Sequence, residues 1–139
     1  MTTGLIHFIQ ERLDEDERSA RAATPGPWVS DEPWLADWVK SGILGHVADC
    51  SIGAGYRAQS IPDAAHIARY DPARALAEID TKRRIVQLYT TARGWADRAE
   101  DIQVSGNNSQ VASVAYLDVL RLLALPYADH PEFREEWRP

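Results

Sequence analysis

Only one cysteine, Cys50, occurs among the 139 residues, so an internal disulfide is excluded and nothing marks an oxidising compartment. That single thiol cannot form a metal-binding cysteine pair either, and its neighbours Asp49 and Ser51 bring no positive charge to favour a reactive thiolate. Long hydrophobic runs are also missing: no stretch approaches the roughly 20 apolar residues needed to span a bilayer. The segment Met1–Phe8 has no basic residues before its broken apolar run, which argues against a signal peptide. Basic residues are in deficit, 15 against 21 acidic ones, giving a net charge of −6 that opposes binding to nucleic-acid phosphate backbones. Internal repeats, low-complexity segments and linkers are absent. These absences predict a cytoplasmic protein folded as a single domain over 1–139, long enough to bury a core without disulfides or a metal.

Two proline-anchored phrases dominate what is present: Thr24-Pro25-Gly26-Pro27-Trp28, and the segment from Asp63 to Pro72 containing His66 and Asp71-Pro72. Residues 4–22 read as a helix, with Leu5, Ile9 and Leu13 spaced i, i+4, i+8. It should stop near Ala23, because a residue before proline is pushed towards extended angles and Pro25-Gly26-Pro27 cannot continue a helix. Residues 28–58 mix Trp28, Trp34 and Trp38 with glycines and the strand formers Val39, Ile43, Val47 and Ile52, predicting two or three short strands with turns at the glycines. Pro62 suits the first position of a short helix over 62–69. Asp71-Pro72 repeats the device, a cap followed by proline, and opens a longer helix whose stripe includes Leu76, Ile79, Val86 and Tyr89 and which should end at Gly94. Ser109 can cap a last helix reaching Leu125, ended by Pro126 and followed by a tail with Phe133 and Trp137. The fold class expected is α+β: an N-terminal helix, a small antiparallel sheet or hairpin, and two long packed helices.

Chemistry has few places to hide. Asp63 and His66 share a helix face, with Asp71 close in sequence, and a carboxylate beside an imidazole can orient a general base. The same residues serve equally as caps and packed hydrogen-bonding groups. A hydrolytic metal centre needs at least three protein ligands, and no His-x-x-x-His pair supplies them, so no metal is expected. Gly53-Ala54-Gly55 lacks the third spaced glycine of a dinucleotide loop, and no Gly-x-Ser-x-Gly phrase occurs. The tryptophans Trp28, Trp34 and Trp38 can fill a core or, where exposed, form a protein-binding patch.

Three phrases carry a resemblance: Ala22-Ala23-Thr24-Pro25-Gly26-Pro27-Trp28, the segment from Asp63 to Arg74, and Arg121-Leu122-Leu123-Ala124-Leu125-Pro126-Tyr127-Ala128-Asp129-His130-Pro131. Across nearly the whole chain the sequence resembles a family of small actinobacterial proteins found in streptomycetes and their mobile elements. The first two phrases also resemble segments of early-region phage and prophage proteins. The resemblance implies a phage or mobile-element accessory protein. Many members of that family carry a cysteine-bearing segment resembling a zinc site before the final helix; residues 94–120 here contain no cysteine, so the resemblance implies that zinc is dispensable to the shared fold, and no cofactor is expected for this chain. The function expected is a non-enzymatic protein-binding module acting on a host or phage protein, without a membrane or nucleic-acid backbone as partner. The alternatives are a small hydrolase or nuclease-like enzyme using Asp63, His66 and Asp71, and a self-assembling structural protein, such as a homodimer, joined through spare apolar surface on residues 4–13.

Overall fold

The computed structural model describes residues 2–30, 37–51, 57–101 and 107–139. Among these lie four α-helices, α1 (Thr2–Ala22), α2 (Arg57–Arg69), α3 (Pro72–Asp101) and α4 (Asn107–Ala124). Three strands, β1 (Trp28–Val29), β2 (Trp38–Ser41) and β3 (Gly45–Asp49), form an antiparallel sheet in the order β1-β2-β3. The architecture is α+β with an N-terminal helix and a small antiparallel sheet, as the patterning predicts. By internal contacts the chain divides into two compact units, residues 16–79 and residues 1–15 together with 80–139.

In the unit 16–79, α1 stops at Ala22, where Thr24-Pro25 forbids another turn. The Gly26–Pro27 peptide is cis, and the chain then enters β1 at Trp28. Trp28 lies opposite Ser41 and Val29 opposite Lys40, while Lys40 and Ser41 lie opposite His46 and Gly45. Val47 is the extra residue of a bulge on β3. Because side chains alternate along a strand and opposed residues share a face, Trp28, Val39 and Ser41 take one side of the sheet. Val29, Trp38, Lys40 and His46 take the other. Helix α2 packs on β1 and β2, and Val39 and Ser41 are buried, as are Ser60 and Ala64, one turn apart on α2. Ile43, expected in a strand, instead occupies the turn between β2 and β3.

Two helix boundaries differ from the sequence expectation by more than a turn, while α1 opens at Thr2 rather than residue 4 and α4 at Asn107, ahead of the expected Ser109 cap. Helix α2 opens at Arg57, more than a turn before Pro62, and carries that proline inside it. Proline there cannot donate to the carbonyl four residues back, a local loss that the packing of α2 on the sheet offsets. Helix α3 begins at Pro72 as expected but passes through Gly94 and reaches Asp101. A glycine costs a helix only about 1 kcal/mol relative to alanine. The Arg93–Asp97 ion pair, 2.9 Å, spans the position.

In the unit formed by 1–15 and 80–139, Leu5, Phe8, Ile9 and Leu13 of α1 are buried, so this face of residues 4–13 is not spare surface. Phe8 is ringed by Tyr127, His130, Phe133 and Trp137, with centroids 6.4, 5.7, 6.0 and 5.0 Å away. The tail after Pro126 is thereby fixed through aromatic packing. Beside the cluster, the buried Arg12 donates through Nη1 to the His130 ring, 2.7 Å from Nε2, and to Glu132, and through Nη2 to Glu15. A guanidinium withdrawn from water requires such partners.

Candidate functional site

Asp63 and His66 project from α2 three residues apart, and both line a cavity of about 420 Å³ together with Asp49, Cys50 and Ile67. Asp63 accepts a hydrogen bond from the Gln59 amide at 2.8 Å, and the exposed His66 ring lies 4.8 Å from that of Tyr70. Over Tyr70, in turn, sits the Arg74 guanidinium at 4.4 Å. At the end of β3, Asp49 is held below the usual carboxyl range by the Ser51 hydroxyl and the Ser51 backbone N–H, both of which it accepts. Cys50 is pushed the other way: burial first, then the charges of Asp63, Asp49 and Asp37, raise its thiol above its ordinary range. The cavity therefore gathers Cys50, His66, Asp49 and Asp63. Among the described residues no group of three or more His, Cys, Asp or Glu side chains is arranged to hold a metal ion.

Asp71 does different work. Its Oδ1 caps α3 by accepting the Arg74 backbone N–H at 2.9 Å, and its Oδ2 accepts the Trp28 backbone N–H at 3.4 Å. The structure thus brings Asp63 and His66 together and gives Asp71 to the joint between the two proline phrases.

Of the tryptophans, Trp28 is half-buried and its indole N–H donates to the Thr24 carbonyl at 2.8 Å, so its polar edge is used internally. Trp38 is half-buried on the opposite side of the sheet, with His46 edge-on at 4.7 Å. Trp34 lies outside the described residues.

The turn expected at Gly42 and Gly45 is present, but it holds Ile43, expected in a strand, and presents it with Leu44 to solvent. Ile43 and Leu44 are 69% and 66% exposed, the highest values among the large apolar side chains described. The turn is tightly held. Ser41, buried, donates its hydroxyl to the Pro25 carbonyl at 2.6 Å and accepts the backbone N–H groups of Ile43 and Leu44 at 3.2 and 3.3 Å. Gly42 donates to the Pro27 carbonyl at 3.1 Å, and Gly45 has φ of 83°, a left-handed conformation that glycine adopts without strain. A signal existed in the sequence: an aliphatic pair bracketed by two glycines is more a presented turn than a strand. Trp95, also exposed, was missed because the helix was expected to end one residue earlier.

Among the described residues no helix is long and apolar enough to cross a membrane. No curated protein and no solved structure gives a significant match to the chain. The chain belongs to a family of unknown function, DUF6221, which matches it over residues 2–139.

Proposed function

We propose that the protein is a non-enzymatic protein-binding module, an accessory protein of a phage or mobile element that acts on a host or phage protein. The observation that carries this reading is apolar surface left exposed on firmly held structure: Ile43 and Leu44 on the hairpin turn, Trp95 on α3 and Val111 on α4. Scattered exposed aliphatics are ordinary, but adjacent ones on an immobilised turn favour recognition of another protein. The test is affinity capture from host and phage-infected lysates, run beside turnover assays on ester and phosphodiester substrates. A stoichiometric protein partner with no turnover is expected. Turnover of a small substrate with no retained partner would overturn the reading.

A second reading, a small hydrolase, is favoured by one observation, the presence of Asp63 and His66 in the same cavity as Asp49 and Cys50. It expects activity that D63N and H66A each abolish, with Asp71 contributing only to stability.

A further inference from the structure

We propose that the cavity between α1 and the tail after Pro126 binds a carboxylate carried on an apolar group, with the Arg134 guanidinium and the Trp137 indole N–H as its donors. The proposal stands apart from the binding reading and from the hydrolase reading, and it holds or fails whichever of them is right.

The cavity, about 430 Å³, is lined by Gly4, His7, Phe8 and Glu11 of α1 and by residues 131–134 and 137 of the tail, all within one compact unit. Trp137 is 3% exposed, yet its Nε1–H finds no acceptor among the described residues. A buried donor without a partner carries the cost of its lost hydration, and an acceptor that reaches it relieves that cost. Trp137 and Arg134 converge on Gly4. A Cβ built on that glycine would lie 3.7 Å from Trp137 Cζ2, the ring atom next but one to Nε1, and 3.9 Å from Arg134 Nη1. The missing side chain thus leaves room beside both groups. Nε1 is sealed from solvent, so a ligand reaches it as Arg134, long, exposed and lying 5.4 Å over the Trp137 ring, swings from the ring onto the carboxylate.

The contacts already made select the ligand's charge. Glu132 is paired with Arg12 at 3.2 Å, and Glu11 lies against His7 Nε2 at 3.3 Å. Arg134 approaches Glu136 at 3.8 Å, too long for a hydrogen bond. A guanidinium and an indole N–H both call for acceptor oxygens, and one carboxylate supplies two. A basic ligand would instead have to draw Glu11 or Glu132 from a partner it already has. Phe8, Pro131 and Phe133 give the cavity apolar walls, so the carboxylate is borne on an aromatic or aliphatic group. Two sources carry that chemistry, a small organic acid and the C-terminal residue of a peptide.

The experiment titrates the full, nitrogen-15-labelled chain with phenylacetate, N-acetylphenylalanine and the neutral N-acetylphenylalanine amide, following the indole N–H signals by NMR. W137F, which keeps an aromatic ring and removes the donor, assigns the Trp137 signal. The acids are expected to move that signal saturably and the amide to leave it in place. Phenylacetate binding as tightly as N-acetylphenylalanine identifies a small organic acid; binding confined to N-acetylphenylalanine identifies a peptide C-terminus. R134Q should weaken binding at least tenfold, and G4L, which puts a side chain into the cavity, should abolish it. R84Q, the loss of an exposed cation on α3, should stay within twofold. Thermal unfolding verifies the fold of each variant, and R134Q, a change to an exposed side chain, is expected to keep its melting temperature. No saturable movement with either acid up to about 10 mM, well above a millimolar dissociation constant, would overturn the site. Equal movement by the amide, or binding by R134Q within twofold of wild type, would overturn it as well.

Discussion

The Asp71 carboxylate accepts the Trp28 backbone N–H at 3.4 Å while it caps α3 through the Arg74 N–H at 2.9 Å. Gly26 lies against the same group: a Cβ there would sit 2.5 Å from Oδ2 and 3.2 Å from Cγ. The two proline phrases are thus halves of one joint, and the glycine between the prolines makes room for the carboxylate that caps the next helix. D71A should destabilise by about 1–3 kcal/mol, from a lost cap and an unpaired backbone donor. G26A should destabilise the wild type and cost clearly less in a D71A background. Urea unfolding of the four proteins measures this coupling, and strictly additive losses would contradict the joint.

Ser41 links the hairpin turn to the first proline phrase. Its hydroxyl makes three hydrogen bonds from a buried position, so S41A should cost about 1–3 kcal/mol. Hydrogen exchange should locate the loss: the Ile43 and Leu44 amides exchange faster in S41A, while those of α4 keep their rates.

Phe8 holds the tail. Removing its ring takes one partner from four aromatic neighbours at once, and F8A should cost about 3–5 kcal/mol, as large-to-small core changes do. The milder F8L should cost less and leave the tail more open to protease than in wild type. A tail equally protected in F8L and wild type would show that Phe8 is not its anchor.

Cys50 should react slowly. Burial and the nearby carboxylates raise its thiol above the ordinary cysteine range, so the thiolate fraction at neutral pH is reduced. Alkylation by iodoacetamide should be slower than for free cysteine and climb only as the pH passes the raised value. D63N removes one of the raising charges, which lowers the thiol pKa and speeds alkylation at neutral pH. Equal rates for D63N and wild type would exclude Asp63 as a contributor.

Much of the fold was legible because proline and capping chemistry act locally. Thr24-Pro25 stops α1, and Asp71-Pro72 opens α3, through short-range sterics that any context must respect. Pro62 and Gly94 misled for the complementary reason: each weakens a helix by a modest local term, and packing elsewhere along α2 and α3 outweighs it. The candidate site was half legible. Helical spacing puts Asp63 and His66 on one face, but only the tertiary fold adds Asp49 and Cys50 and gives Asp71 to Trp28. The Phe8 cluster was beyond reach, since nothing local in Phe133 or Trp137 names a partner near the other end of the chain. The exposed tip escaped because Ile43 is a good strand former, and its place in the turn depends on the bonds to Ser41.

The most direct measurement sets the binding reading against the cavity of Asp63 and His66. The partner retained by the wild-type chain is titrated with wild type and with D63N/H66A, and the same proteins are assayed for ester and phosphodiester hydrolysis. A binding module keeps its affinity in D63N/H66A and hydrolyses nothing. The absence of a retained partner, together with hydrolysis by the wild type that D63N/H66A abolishes, would contradict that reading and assign the function to the cavity.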